Sequence, residues 1–465
     1  MPGEGLLLDP PVAVVAMIAI AALLAFVAVV TGWERIAIWT SLGSLVLYPL
    51  LLSEDSAVYH VGIAGPIVEV RTFTLALLPF AFGVFSRGLL PKSFMLLAIW
   101  LAFSATFFWR MDAMAWAGAT QIGVGVLGWM AGAHLARSQV GNARLQRTLV
   151  ACVAAIILIE VTVSVLQFAG VPINPLPFHD AALLGNRANG TLNHPDNLGK
   201  ALLLLMALVL PATTSKQAGT RRLALASFLV AFLPLALSQG RANFVGALMM
   251  VVAWALLLPR GHSLALKFAI LGGSSLVVLA SAGLFLARFD EDPTGGARGD
   301  LLAIALRHLP DYVLVGVGPN SYTTVTGPLD GSWIPVHSTF LLVLLELGAI
   351  GALLLFLPVV TSSVYAWSNR RAEGDSGAAS RALISTVPAI VVIGATGWGL
   401  AGSSILALWF LTWSYLNTLA RSRALETTSP SSESEGSLAP VRSARPPTAK
   451  HDRHRAKDDH DVAYD

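Results

Sequence analysis

The chain has 465 residues, 55% of them hydrophobic, and carries only 30 Lys and Arg with 27 Asp and Glu, so charged residues make up 12% and the net charge is +3. Soluble domains carry about 25% charged residues, and half that charge cannot cover a water-facing surface of this size. A soluble enzyme is excluded. No basic stripe exists for nucleic acid to follow. The single cysteine, Cys152, sits in an apolar run and supports neither a disulfide framework nor a thiolate metal site.

A membrane-spanning helix needs about 20 mostly apolar residues, with ~17 tolerable. In chain order this length predicts helices at 11–30, 36–52, 72–85, 93–109, 113–133, 148–170, 198–212, 223–237, 242–258, 264–287, 338–363, 383–400 and 403–420. The expected fold class is therefore all-α, a polytopic membrane protein with about 12–13 transmembrane helices. The first run lacks a basic segment before it and reads as a retained helix, not a cleavable signal. The run at 72–85 is short, and Arg71 and Arg87 are placed to snorkel from its ends.

Short loops rich in Lys and Arg face the cytoplasm. Arg137, Arg144 and Arg147 mark one such loop, and Lys216, Arg221 and Arg222 a second. Arg260 with Lys267, then Arg370, Arg371 and Arg381, mark two more. The segments 171–197, 238–241 and 288–337 then lie outside, the last as one large extracytoplasmic loop. Thirteen helices put the N-terminus outside and twelve put it inside. Residues 1–420 form the membrane domain; 421–465 are polar, proline-dotted and balanced between eight basic and eight acidic residues, the composition of a disordered cytoplasmic tail.

Three polar groups gather on the outer side. The first is 185–197, Gly-Asn-Arg-Ala-Asn-Gly-Thr-Leu-Asn-His-Pro-Asp-Asn, with Arg187 as its cation, Asn193 as a helix cap and Pro195 in the first helical turn. The second is the turn Leu-Ser-Gln-Gly-Arg-Ala-Asn at 237–243, with Arg241 at the mouth of the next helix. The third is the loop 288–337, with Arg288, Arg298, Arg307, the Gly316-Val317-Gly318-Pro319-Asn320 turn and His337 before a helix. Arginine presents a fixed fork of donors that matches phosphate oxygens and keeps its charge when buried. Several of them at the outer leaflet suit a diphosphate held in the membrane plane, and a neutral histidine nearby can take a proton from a hydroxyl. The implied reaction is attack of an acceptor hydroxyl on a sugar carried by a lipid diphosphate. Taken singly, Arg288 and Arg307 also read as interface anchors, and His337 as a capping residue.

Three acidic features stand apart. Glu160 lies mid-helix and reads as a protonated or paired structural group, far in depth from the outer constellation. Glu346 follows His337 by nine residues, roughly 13 Å along a helix, too far for a direct dyad. It reads as a helix-packing partner. Asp290-Glu291-Asp292 resembles an Asp-x-Asp metal motif only superficially, and no metal site or cofactor is expected.

In order, spacing and side, these groups resemble the O-antigen ligase and polysaccharide polymerase superfamily. Members often show Arg-x-x-Gly-Thr-Phe followed by Asn-Pro-Asn, here ArgAlaAsnGlyThrLeu and AsnHisProAspAsn over 187–197. Their Ser-Arg-Gly turn is matched here only by Arg241 within GlnGlyArgAla. An early loop arginine, Gly-x-Gly, and a histidine before a helix carrying Glu-Leu-Gly-x-x-Gly correspond to Arg298, Gly316/Gly318, His337 and 346–351. The resemblance covers about 185–358. It implies a metal-independent, inverting membrane glycosyltransferase that moves an oligosaccharide or polysaccharide from undecaprenyl diphosphate to an acceptor hydroxyl outside the inner (cytoplasmic) membrane. Arg241 and Arg298 would hold the diphosphate and His337 would activate the acceptor, as the catalytic set. Arg187, Asn197 and Arg288 would contact substrate, Arg288 competing for the role given to Arg298. The partners implied are the lipid-linked donor, a glycan or lipid acceptor and the bilayer.

A transporter or flippase of lipid-linked glycans is the alternative. Such folds favour internal repeats and interrupted helices at the midplane, whereas here the polar groups cluster at one surface. Neither His-Glu-x-x-His nor Gly-x-Ser-x-Gly occurs, which leaves no basis for an intramembrane protease.

Overall fold

The computed structural model describes residues 34–47, 58–61, 68–71, 90–174, 185–192, 194–259, 264–291 and 297–422, with isolated positions 23, 26 and 77. Those isolated positions apart, the expected helices at 11–30 and 72–85 lie outside these residues, as does the tail after Ser422. Each other expected span falls on a helix. In chain order they are α1 (Glu34–Val46), α2 (Lys92–Phe107), α3 (Ala113–Gln139), α4 (Ala143–Phe168), α5 (Pro195–Val209), α6 (Ala218–Val230), α7 (Phe232–Leu237), α8 (Arg241–Leu257), α9 (Leu264–Glu291), α10 (Arg298–Tyr312), α11 (Tyr322–Asp330), α12 (Thr339–Asn369), α13 (Gly374–Thr396) and α14 (Ser403–Ala420). Among the described residues five stretches are long and apolar enough to cross a membrane: Ala143–Phe168, Pro195–Thr214, Ala218–Leu237, Thr339–Asn369 and Gly374–Thr396. The protein is an all-α, multi-pass membrane protein.

One small element was not expected. Val58–Val61 (β1) and Val68–Arg71 (β2) pair antiparallel, with Val58 opposite Arg71 and Val61 opposite Val68. Both strands are valine-rich, and the sequence joining them contains Gly and Pro, a combination that favours a hairpin.

The centre of the bundle is α5. Every residue from Leu198 to Val209 is buried, so a helix apolar on all sides has become the innermost one. Around it, α3 and α14 cross at backbone distance. A Cβ at Gly128 or Gly132 would come within 2.1 Å of the Ala407 or Leu411 carbonyl, which explains the Gly-x-x-x-Gly pair on that face. The chain breaks between α6 and α7 at Ala231 because Pro234 lacks an amide proton and crowds the carbonyl four residues back.

The long outer loop is itself largely helical. Arg288 belongs to the last turn of α9, not to the loop, and α10 and α11 occupy much of the segment beyond it. Helices α5, α8 and α12 begin at the end of the bundle where α13 finishes. Among the described residues, the loops rich in Lys and Arg lie at the opposite end, the side that such loops are expected to place in the cytoplasm.

Candidate functional site

The site is assembled on a loop that dips into the bundle. Residues 185–192 are anchored from α4: Gln167 Oε1 accepts the amides of Asn189 (3.1 Å) and Gly190 (2.9 Å). About two helical turns deeper, Glu160 is fully buried and accepts from the Thr191 amide at 2.9 Å and the Thr191 hydroxyl at 2.5 Å. Glu160 is thus paired, as its structural reading requires, but it is not remote from the outer constellation, because the loop descends to meet it. Gly190, at φ +61°, has no room for a side chain: a Cβ would lie 2.1 Å from Glu160 Oε2. The cap of α5 is His194, whose Nδ1 accepts the Asp196 amide at 3.1 Å. Asn193, the expected cap, lies outside the described residues.

So anchored, the loop delivers Arg187 into a cleft. Arg187 is 8% exposed; its Nη2 meets Asp196 Oδ1 at 2.6 Å and its Nε donates to the Ser238 carbonyl at 2.9 Å. That second bond ties the loop to the turn carrying Arg241, as does the Ala188 amide on the Leu237 carbonyl at 3.1 Å. Asn243, buried on α8, donates to the Asp196 carbonyl at 3.1 Å and fills the notch left by Gly199. Helices α5 and α8 are thereby held in register at their first turns.

The cleft has a volume of about 530 Å³, including space open to solvent, and its walls include Arg187, Asp196, Lys200, Arg241, Arg298 and Gly397. Four cations face one carboxylate there. The first turns of α5, α8 and α10 all open onto it, so the amides at those helix starts add positive potential. Arg241 and Arg298 are each the first residue of their helix, where a cation is opposed by the helix dipole. An anion in the cleft relieves both.

His337 sits beside this cleft. Thr339 donates both its amide (2.9 Å) and its hydroxyl (2.7 Å) to the Gly397 carbonyl, locking the start of α12 to the cleft wall two residues after the histidine. Burial, and then the nearby Arg298 guanidinium, hold the His337 imidazole below the ordinary histidine range, with Lys200 adding to the depression and Asp196 and the Pro335 carbonyl opposing it. Its Nδ1 is buried with no hydrogen-bond partner among the described residues. A neutral imidazole is suited to accept a proton.

The glycine motifs of the outer loop and of α12 form one unit. Helix α12 breaks at Gly348 (φ +68°), and at this break the Leu345 and Glu346 carbonyls accept the amides of Val317 (3.0 Å) and Gly318 (2.9 Å). The Asn320 and Tyr322 amides lie near enough to the Glu346 carboxylate to stabilise its charge. Glu346 therefore anchors the loop and forms no dyad with His337.

Of the residues singled out from the sequence, Arg187, Arg241 and Arg298 line the one cleft, and His337 lies within electrostatic range of it. Asn197 stands behind the wall, its side-chain oxygen 3.4 Å from the Lys200 ammonium. Arg288 lies on α9, with its side chain outside the described part of the structure. Arg307 is exposed and paired with Asp330 at 2.7 Å, a partner it shares with His308. The sequence did not single out Asp196, Lys200 or Asn243. The i, i+4 spacing of Asp196 and Lys200 at a helix start was the available signal.

A multi-pass helical bundle with a cationic cleft at one end defines a class of membrane protein whose site is suited to anionic ligands. Residues 224–356 match the family model described as O-antigen ligase, a segment that includes Arg241, Arg298, His337 and both glycine motifs. This match, over less than a third of the chain, bears out the resemblance read from the motifs: the segment is similar to the O-antigen ligase family, whose activity at the level of the family is glycan transfer. No curated protein matches the chain.

Proposed function

We propose that the chain is a metal-independent, inverting glycosyltransferase of the inner membrane. It moves a glycan from undecaprenyl diphosphate to an acceptor hydroxyl on the extracytoplasmic face. The observation that carries this reading is the convergence of Arg187, Arg241, Arg298 and Lys200 on one cleft with a depressed histidine beside it. In the proposed step His337 takes the proton of the acceptor hydroxyl as its oxygen attacks the anomeric carbon. The bond from that carbon to the diphosphate oxygen breaks, and its electron pair leaves with the diphosphate. Arg241 and Arg298 stabilise the charge so formed. Arg187, already committed to Asp196 and Ser238, positions the donor loop.

The test is a gel of surface polysaccharide from wild-type, deletion and His337→Ala strains. A long-chain ladder reduced to single capped units in the deletion strain identifies a polymerase. Loss of glycan from its acceptor, with lipid-linked chains accumulating outside, identifies a ligase. Lipid-linked glycan trapped on the cytoplasmic side contradicts both and favours transport. Transfer by the purified chain should also survive a chelator, and a strict divalent requirement contradicts the proposal.

A further inference from the structure

Lys200 is the cation that the proposed step leaves unused. It lies in the second turn of α5, is 6% exposed, and sits on a helix otherwise apolar below its first turn. A buried ammonium in a membrane helix is expensive unless paired. Its hydrogen bond is a long one, 3.4 Å to the neutral Asn197 oxygen. The carboxylate in the same cleft, Asp196, is held by Arg187 at 2.6 Å. Space for the ammonium is made on the far side by Gly399, where a Cβ would lie 2.3 Å from Nζ. Side chains on a helix lean toward its N-terminus, which points the lysine stem back to the cleft mouth.

Charge counting suggests what the ammonium is for. Among the described residues lining the cleft, four basic side chains stand against one carboxylate, an excess of three. A glycan-bearing lipid diphosphate carries about two negative charges, and the freed lipid diphosphate gains part or all of another, since a terminal phosphate holds roughly −1.5 to −2. We propose that Lys200 is a further diphosphate-binding residue, seated by Gly399, that neutralises charge on the departing group and sets a preference for diphosphate over monophosphate carriers. This rests on the reading of the cleft as the donor site.

The experiment titrates undecaprenyl diphosphate and undecaprenyl monophosphate into the full-length chain in nanodiscs, for wild type, Lys200→Met, Gly399→Ala and Arg241→Ala. Wild type should prefer the diphosphate. Lys200→Met should weaken diphosphate binding at least tenfold and monophosphate binding less than twofold. Gly399→Ala displaces the flexible end of Lys200, so it should shift selectivity the same way and serves if Lys200→Met does not fold. Unchanged diphosphate affinity in a folded Lys200→Met, or equal loss of both probes, overturns the proposal while leaving the cleft intact. Unchanged diphosphate affinity in Arg241→Ala as well removes the donor site itself, and the role of Lys200 with it.

Discussion

Gly318 donates its amide to the Glu346 carbonyl at 2.9 Å, at the point where α12 breaks at Gly348. Two glycine motifs about 30 residues apart in sequence are therefore the two halves of one joint. The joint fixes where the outer loop leaves the bundle and hence where His337 re-enters it.

Gly316→Ala tests the joint. Gly316 has φ +80°, and a Cβ there would stand 2.2 Å from the Glu346 carbonyl oxygen. Gly331 shares the positive φ, at +70°, but a Cβ there meets nothing within 4 Å. Backbone strain alone costs about 1–2 kcal/mol, so Gly331→Ala should lose about that much and Gly316→Ala clearly more. Thermal unfolding of the two purified variants measures the difference, and equal losses would contradict the joint.

Glu160→Ala removes the acceptor of two Thr191 donors in a fully buried site. Losing the Glu160 bonds, with the Thr191 hydroxyl keeping only its longer 3.3 Å bond to the Val46 carbonyl among those described, should cost about 1–3 kcal/mol and loosen the loop that carries Arg187. Glu160→Gln keeps an acceptor oxygen and should cost less. A melting temperature unmoved by Glu160→Ala would show that the pairing is unimportant.

The contrast between Glu160 and Lys200 shows what could be read from the chain alone. The helices were legible because the bilayer demands long apolar runs, and the outer arginines because cations stand out on a side where few are retained. Glu160 stood out as an acid in such a run, but its partner did not, since nothing local says that Thr191 descends into the bundle. Lys200 opens an apolar run and looks like a helix-end residue; only the fold shows Gly399 making room for it. The β1–β2 hairpin was missed because its strands are only four residues each and fall between the apolar runs that the spanning length picks out.

Arg187 satisfies two acceptors with two different nitrogens, Asp196 by Nη2 and Ser238 by Nε. A lysine has one point-like head and cannot span both. Arg187→Lys should therefore lose transfer nearly as fully as Arg187→Ala, by tenfold or more. Full rescue by lysine in a transfer assay would show that charge alone suffices there.

On the proposed mechanism, the acid limb of the pH–rate profile should report His337. Its pKa is lowered by burial and then by Arg298, so the neutral, proton-accepting form persists below the usual histidine value of about 6.5. Transfer should hold across neutral pH and fall only as pH drops through the lowered pKa. Arg298→Gln removes one source of the depression, so the limb of its residual activity should move to higher pH. A limb that stays in place contradicts the coupling of these two residues.

The most direct test of the central claim is the rate of glycan transfer by the purified full-length chain and by His337→Ala, with undecaprenyl diphosphate binding measured on the same preparations. A general base contributes about 10²–10⁴-fold. The expected result is a loss of at least about a hundredfold in rate with binding retained. An unchanged rate in a folded His337→Ala protein would contradict the role of His337 as the base.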